Sequence, residues 1–571
     1  MRPEWQLASP DPKAVQHLIN TLKCHPAVAA ILVNRSILSE TAALSFLSPS
    51  IRGIRMPFEL KDMDKATDRI LFAMEKKEKI LIFGDYDADG ITATVILYEF
   101  LQGIGADVGF YIPHRMEEGY GLKPQHISSM AAPGQIKLII TVDCGSDSHE
   151  AVCLAKGLGI DVIITDHHAI TSEVPPAEAV VNPKRQDCPS GLDHLAGVGV
   201  VFYVMMAVRK RLRDKGHFEA IGEPNLMQYT DLVALGTVAD IVPMIHENRA
   251  FTRAGLDIMG AGNRTGLKVL MDLSRVDCNH VNTDDIAFKL APRLNAAGRM
   301  GHALSSVNLL IEKEAETASD MVEILEEYNT QRKTLEDKTC LDIQIALKSN
   351  PDLLKNKSLV LFHRHWHEGV LGIAASRMAR KLFRPVILIT TRDGMGKGSA
   401  RSVDDFDLHE GLSRCKEMLQ GFGGHAMAAG LTISPDKIPC FASKFEQVVM
   451  DMTGPNEFNR KIPIDFDLSF SLITEKLLVE LENMMPFGKE SPEPLFLSKG
   501  IKVVQSYVMG QNHRKMVLKQ YGDISNRAFS AIQFNVEPKA AGTDYFDHML
   551  FRLRYNRWNG KKTIQILVEE T

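Results

Sequence analysis

The stretch 83–92 reads Phe-Gly-Asp-Tyr-Asp-Ala-Asp-Gly-Ile-Thr and sets Asp85, Asp87 and Asp89 at alternate positions. Fold stability alone gives little reason to gather three carboxylates in one turn, because at neutral pH they repel one another. A divalent cation would neutralise them, and oxygen ligands suit Mg²⁺ or Mn²⁺. The structural alternative is a plain helix N-cap, where Asp is common. Further candidates lie downstream: Asp143 after Leu-Ile-Ile-Thr-Val, the triplet Asp166-His167-His168 after Val-Ile-Ile-Thr, and Asp240 in Leu-Gly-Thr-Val-Ala-Asp. Carboxylates with histidine and without cysteine suit hard-to-borderline cations, Mn²⁺ especially. Two cations sharing a carboxylate form an arrangement for phosphoryl transfer.

These residues need elements that bring them together. The apolar runs at 80–83, 108–112, 138–142, 162–165 and 179–181 are continuous rather than alternating, as in parallel strands buried on both faces. Helical patterns at 91–101 and 146–157 fit crossovers between them. The reading is a doubly wound α/β domain with a parallel sheet. Asp85, Asp87, Asp89, Asp143 and the 166–168 triplet then fall at the carboxyl ends of strands, the edge where open parallel sheets place their ligands.

A chain of 571 residues has room for roughly three or four domains. The net charge of −5 does not mark a nucleic-acid binder, although a local basic surface is compatible with it. None of the eight cysteines falls in a C-x-x-C, so neither a zinc site nor a thioredoxin-like motif is signalled, and their scatter suggests a reducing compartment. The start, Met-Arg-Pro-Glu-Trp, carries no apolar signal region, and the longest apolar run, 197–208, is too short to span a bilayer. The expected location is the cytoplasm, with no membrane partner.

Residues 1–58 read as helices separated by Pro10, Pro26 and Pro49. The region 303–349 has neither Gly nor Pro and reads as helix throughout, with Glu326, Glu327, Arg332 and Lys333 as exposed charge. Strand-like runs at 358–362 and 385–390 flank a helix at 369–382. Between 364 and 401, eight Lys/Arg, Arg377 and Arg401 among them, meet only two Asp/Glu. There Ser399 and Arg401, with Gly423, Gly424 and His425 beyond, would let backbone and side chains approach phosphates closely. Five short strand patterns, at 499–505, 515–519, 528–534, 549–555 and 563–568, suit an OB-fold. From 496 to 571 twelve Lys/Arg meet six Asp/Glu, and Tyr507, Phe534, Tyr555 and Trp558 are candidate stacking faces.

At the Asp166-His167-His168 triplet the sequence resembles the DHH phosphoesterase superfamily. The segments Gly84-Asp-Tyr-Asp-Ala-Asp-Gly-Ile-Thr, Tyr111-Ile-Pro-His-Arg-Met-Glu-Glu-Gly-Tyr-Gly-Leu, Asn182-Pro-Lys, Ala234-Leu-Gly-Thr-Val-Ala-Asp and Leu290-Ala-Pro-Arg-Leu-Asn-Ala-Ala-Gly-Arg-Met narrow the likeness to the RecJ family of single-strand-specific 5′→3′ DNA exonucleases. Trp366-His-Glu-Gly-Val-Leu-Gly-Ile, Gly398-Ser-Ala-Arg-Ser and Gly423-Gly-His-Ala-Met-Ala-Ala-Gly resemble its DHHA1 domain. The family pattern places Gly-Asn where Glu490-Ser491 stand. The division implied is a helical segment 1–58, a DHH catalytic domain 59–302, a long connecting helix 303–349, a smaller α/β DHHA1 domain 350–455 and an OB-like DNA-binding barrel 461–571.

The resemblance implies a two-metal nuclease, using Mn²⁺ or Mg²⁺, that releases 5′-mononucleotides from single-stranded DNA. Asp87, Asp89, Asp143, His167 and Asp240 would be ligands, with Asp143 the bridge and Asp85 either a ligand or an outer support. His168 would stand beside the reacting phosphate as a hydrogen-bond donor or as proton donor to the leaving oxygen. Arg293 and Arg299 would serve catalysis through phosphate contact, and Arg115, Tyr120, Asn295, Arg377, Ser399, Arg401 and His425 would bind nucleic acid, with Tyr120 suited to stacking on a base. The resemblance also implies work beside single-strand binding protein and a helicase in recombination and repair, and the chain is expected to act as a monomer. Two rivals are a phosphodiesterase for short oligonucleotides or cyclic dinucleotides and a non-catalytic DNA-binding scaffold. The barrel-like tail argues against the first, and intact Asp and His positions argue against the second.

Overall fold

The computed structural model describes residues 3–131, 133–170, 173–219, 222–456, 458–510, 512–522, 526–536, 542–558 and 561–571. They form two compact units, one of 55–242 and 254–459, the other of 1–54, 243–253 and 460–571.

In the first unit, strands β1 (Ile80–Gly84), β2 (Val108–Tyr111), β3 (Leu138–Val142), β4 (Asp161–Thr165) and β5 (Ala179–Val181) form a parallel sheet in the order β2-β1-β3-β4-β5. The register pairs Gly84 with Val142 and Val142 with Thr165. The next residues, Asp85, Asp143 and Asp166, therefore leave the sheet at one level. Helix α1 (Ala88–Gly103) is buried along most of its length and packs against α3 (Gly197–Asp214) and α4 (Thr230–Ala239), while α2 (His149–Gly157) lies between β3 and β4 in the chain.

Three helices follow: α5 (Ala291–Met300), α6 (Leu304–Ile311) and α7 (Ala315–Ser349). The single helix expected over 303–349 is thus broken at 312–314. There Glu312 turns extended, and its carboxylate accepts the N–H groups of Lys313 (2.7 Å) and Glu314 (2.8 Å) that an unbroken helix would have given to carbonyls. The 35 residues of α7 span about 52 Å. Its Arg332, expected as exposed charge, is instead buried, held by Glu336 and Asn329.

A second sheet of the same unit comprises β6 (Leu359–Phe362), β7 (Val386–Arg392), β8 (Met395–Arg401), β9 (Leu419–Gly424) and β10 (Ala428–Ile433), ordered β9-β10-β8-β7-β6. Only the β6–β7 pair is parallel. Helix α8 (Glu368–Leu382) connects them and shares a core with α7 on one face of this sheet; helix Ile438–Thr453 covers the other.

The second unit holds a closed barrel of five strands, Phe496–Met509, His513–Gln520, Ala528–Gln533, Tyr545–Trp558 and Lys561–Glu570, the first and fourth pairing to close it. The N-terminal helices, expected as a segment of their own, belong to its core. Helix Pro26–Asn34 is apolar on every side, so it needs cover on every side; Val28, Ile31 and Leu32 are buried with Leu477, Phe496 and Phe551. Segment 243–253, expected within the domain 59–302, joins this unit through Arg249, whose guanidinium donates to the carbonyls of Phe46, Met484 and Pro486. At the departure from the family pattern, Glu490 adopts the left-handed backbone (φ 60°) that Gly or Asn takes more readily. Among the described residues no helix is long and apolar enough to cross a membrane.

Candidate active site

Three strand ends and one helix end deliver an acidic centre. Asp87 caps α1, its Oδ1 accepting the N–H groups of Asp89 (2.9 Å) and Gly90 (3.2 Å). Asp89 sits on the N-terminus of α3, accepting from Gly197 N (2.7 Å) and Val198 N (2.9 Å), where the helix dipole favours negative charge. Asp143 takes a left-handed backbone, φ 61°, at a cost of about 1 kcal/mol for a residue with a Cβ. Gly197 admits its carboxylate, since a Cβ there would lie 2.6 Å from Asp143 Oδ1. Asp240 follows the last residue of α4.

Among the described residues the ligand atoms fall into three groups: two share no residue, and a third, Asp143, His167 and His168, takes one residue from each of them. Asp89, His167 and Asp240 each offer one atom within 4.8 Å of the others, and so do Asp85, Asp87 and Asp143. His167 Nε2 lies 3.1 Å from Asp143 Oδ1, 3.5 Å from Asp240 and 3.8 Å from Asp89, so Asp143 reaches both sets. Asp85 Oδ1, Asp143 Oδ1 and His167 Nε2 are buried without a hydrogen bond. Burial and mutual repulsion push Asp89 up to about 7, Asp240 to about 8, and Asp85 and Asp143 well above the usual carboxylate range. Burial, with the charge of His168, pushes His167 down to about 3, leaving its imidazole neutral. Two carboxylate oxygens and an imidazole nitrogen left without hydrogen bonds, among carboxylates whose mutual repulsion a cation would relieve, are a donor set suited to divalent cations.

Asp166 is no part of that set. Its Oδ1 accepts from the N–H groups of His167 (2.7 Å) and His168 (3.1 Å) and from His168 Nδ1 (2.8 Å), and its Oδ2 accepts from Ser146 N (3.0 Å). Burial opposes charge on His168, but the hydrogen bond and charge of Asp166 outweigh it and raise the imidazole to about 9. Asp166 itself is drawn far below the usual range, these same interactions overcoming its burial. With Nδ1 protonated, the Tyr120 hydroxyl accepts from it at 3.0 Å and donates to the Asp143 carbonyl at 3.2 Å. The ring of Tyr120 remains exposed. Asn182 Nδ2 donates to the His168 carbonyl and to Ser146 Oγ, both at 2.8 Å, which fixes the loop. His425, from the β9–β10 turn, lies parallel to His168 with ring centroids 6.4 Å apart.

Beside this centre lies a cluster of the opposite sign. Arg299, at the end of α5, donates to the Gly369 carbonyl (3.1 Å) in the first turn of α8. Arg401, at the end of β8, donates to Ser399 Oγ (3.1 Å) and packs on the next turn of α8, where a Cβ on Gly372 would lie 2.7 Å from its guanidinium. Arg115 lies over the ring of Tyr86. Burial and the neighbouring guanidiniums of Arg115, Arg401 and Arg332 push Arg299 down to about 9. Burial and Arg115 push Arg401 down to about 10. Cations gathered out of water in this way are a site for an anion, and Arg is the residue suited to phosphate.

Three family models match this chain: the DHH family, N-terminal domain, over 79–237; the DHHA1 domain over 355–451; and the RecJ OB domain over 464–570. The single-stranded-DNA-specific exonuclease RecJ of Escherichia coli (strain K12) is 35% identical over 537 residues, 92% of each chain. The RecJ of Bacillus subtilis (strain 168) is 34% identical over 99% of this chain and 70% of its own. The chain belongs to the RecJ family. The crystal structure of RecJ in complex with Mn²⁺ from Thermus thermophilus aligns with a TM-score of 0.83 at 28% identity, over 99% of this chain and 79% of that one. A structure of exonuclease RecJ bound to manganese aligns at 34% identity with a TM-score of 0.58, over 68% of this chain and 94% of that one.

Within this RecJ-family fold not every predicted contact residue joins the site. Arg293 pairs with Glu326 of α7 (2.6 Å) and donates to the Lys289 carbonyl (2.7 Å), so it ties α5 to α7 instead of facing phosphate. Arg377 is exposed and pairs with Asp337 (2.8 Å). Asn295 Oδ1 accepts the Ala88 N–H (2.8 Å), so it braces the acidic turn. In the barrel, Arg552, Arg554, Arg557 and Lys562 meet Glu569, Glu493 and Glu482, which absorbs part of the basic surplus counted from 496. Lys562 also covers the Tyr555 ring at 3.6 Å, while Tyr507 and Phe534 are exposed; the Trp558 side chain lies outside the described residues. Asp166, Asn182 and Tyr86 are the supports that sequence reasoning left without a role. The DHH triplet and the Asn-Pro-Lys motif named the first two, but not what they hold.

Proposed function

We propose that this chain is a single-stranded-DNA-specific exonuclease that works 5′ to 3′ and releases 5′-mononucleotides with two Mn²⁺ or Mg²⁺ ions bound. The observation that carries the reading is the pairing of a largely buried acidic centre, with Asp85 Oδ1, Asp143 Oδ1 and His167 Nε2 left without hydrogen bonds, with a half-buried arginine cluster alongside. The names of the relatives and the manganese in the similar structures support it. Asp89, His167 and Asp240 would hold one ion and Asp85, Asp87 and Asp143 the other, with Asp143 also reaching the first. When bound, such ions make water a stronger nucleophile and offset charge developing on phosphate oxygens.

The remaining work falls to this chain's own groups. Arg115, Arg299, Arg401 and Ser399 would grip the terminal phosphate of a strand and so present the next phosphodiester to the centre. His168, kept protonated by Asp166, would donate to the reacting phosphate or to the leaving oxygen, and Tyr120 holds its ring in place. The cellular setting we infer from the family resemblance is the cytoplasm, in recombination and repair, as a monomer beside single-strand binding protein and a helicase.

The test is digestion of single strands labelled at the 5′ or the 3′ end, with Mn²⁺, Mg²⁺ or EDTA. Immediate release of the 5′ label as mononucleotide, late release of the 3′ label, and silence in EDTA are expected. Cleavage confined to strands of a few nucleotides would favour an oligonucleotide phosphodiesterase instead, and cleavage undiminished in EDTA would refute the metal centre.

A further inference from the structure

Tyr86 stands between two of the acidic residues, Asp85 and Asp87, yet its ring belongs to the arginine cluster. The Arg115 guanidinium carbon lies 4.6 Å from the ring centroid. Among the described residues the phenol hydroxyl makes no hydrogen bond, so the ring face is what the fold uses. The backbone beneath it is clamped. Gly298 of α5 touches Tyr86 so closely that a Cβ would lie 2.9 Å from the Tyr86 carbonyl oxygen. One turn earlier Asn295 takes the Ala88 N–H, and the residue after Gly298 is Arg299. One helix therefore fixes the acidic turn and carries an arginine of the cluster, while Tyr86 reaches across to hold another. Arg115 comes from the loop after β2, whose backbone is tied on either side of it, His114 N–H donating to Glu118 (2.7 Å) and the Met116 carbonyl accepting from Arg392 (2.6 Å), while its guanidinium rests on the Tyr86 ring.

We propose that Tyr86 is a positioning residue for end recognition: its ring fixes the Arg115 guanidinium in register with Arg299 and Arg401, and so sets the spacing between the terminal-phosphate site and the acidic centre. The proposal rests on the reading of the arginine cluster given above. It explains why an aromatic residue occupies a turn otherwise made of carboxylates and small residues. A cation–π contact needs the ring and not the hydroxyl.

The experiment measures kcat/KM, with Mn²⁺ present, on one oligonucleotide bearing either a 5′-phosphate or a 5′-hydroxyl. The full-length proteins compared are wild type, Tyr86→Phe, Tyr86→Leu, Arg115→Met and the Tyr86→Leu/Arg115→Met double variant. Wild type should prefer the phosphorylated end, and Tyr86→Phe should keep that ratio. Tyr86→Leu should lower the ratio about tenfold, in line with a desolvated cation–π contact, and should lower it no further once Arg115 is Met. Tyr86→Met replaces the leucine variant if that one does not fold. A Tyr86→Leu enzyme with the wild-type ratio, or one that loses as much in the Arg115→Met background, would overturn the role assigned to Tyr86. A wild type indifferent to the end phosphate would instead overturn the cluster reading, and the proposal with it.

Discussion

The acidic centre and the arginine cluster both crowd like charges into places shielded from water, but they are assembled differently. Asp85, Asp143 and Asp166 follow neighbouring strands whose ladder register brings them out at one level. Their relative positions are set by a single sheet. Arg115 comes from a loop, Arg299 from the end of a helix and Arg401 from a strand of the second sheet. They meet where the first two turns of α8 receive two of them, Arg299 at Gly369 and Arg401 at Gly372. The cation centre is thus organised by the edge of one sheet and completed by Asp240 at the end of α4, and the anion cluster is a property of how several elements pack. The first should tolerate little change and fail outright. The second should degrade in steps.

The sharpest way to break this contrast is Asp143→Ala. Because Asp143 reaches both ligand sets, kcat should fall by at least about 10³-fold, the upper end for removing one electrostatic group from a site, and Mn²⁺ should no longer raise the melting temperature. A folded variant with near wild-type turnover would remove the centre from where it has been placed. Next in size is Arg401→Met. Truncating one half-buried charged partner should cost about a hundredfold in kcat/KM on 5′-phosphorylated strands, with the Mn²⁺-induced rise in melting temperature intact. Loss of that rise as well would show that the two clusters are not separable.

A smaller effect separates them by pH. Asp89 and Asp240, at about 7 and 8 in the folded chain, sit near 4 when unfolded. Between those limits the metal-free folded state binds more protons than the unfolded one, so its stability, full below pH 4, is lost as pH rises toward 8. Calorimetry in EDTA should show a melting temperature several degrees lower at pH 8.5 than at pH 6. Mn²⁺ should restore more at the higher pH, where fewer protons compete for the ligands. A melting temperature that climbs over this range would contradict the buried-carboxylate account. Smallest of all, Arg293→Met should change kcat/KM on either end less than about threefold, since an ion pair of this partly exposed kind contributes little. A loss comparable to that of Arg401→Met would return Arg293 to the phosphate site.

The contrast also explains what could be read from the sequence. Strand ends carry their own label, an apolar run followed by Asp, and so the acidic centre was legible in the order of residues alone. The arginines had no such label. Arg293 and Arg299 share one motif, but six residues on a helix turn them about 120° apart, while Asn295 and Arg299, four apart, share a face. Helical phase separates them only once the stretch is known to be helix. The break at 312–314 was silent because a Glu side chain makes it, not Gly or Pro. The charge count from 496 misjudged the barrel because three of the carboxylates that pair there, Asp467, Glu482 and Glu493, lie just upstream of it. Pairings as distant as that of 1–54 with 460–571 leave no local pattern at all.

That last pairing has a consequence for how the protein is made. Strand Glu4–Leu7 pairs with Lys461–Ile464, Trp5 Nε1 donates to Glu570, and helix Pro26–Asn34 shares its core with the barrel. On the ribosome the first 54 residues emerge about 400 residues ahead of the partners that bury them. At roughly 5–20 residues per second they wait for something like 20 to 80 seconds with an all-apolar helix uncovered. During that interval residues 55–459 can begin to fold, while the opening segment keeps its apolar surface uncovered. A stop codon or protease cut near 460 would leave that segment exposed for good, so truncated chains should be cleared or aggregate even where the nuclease centre itself has formed.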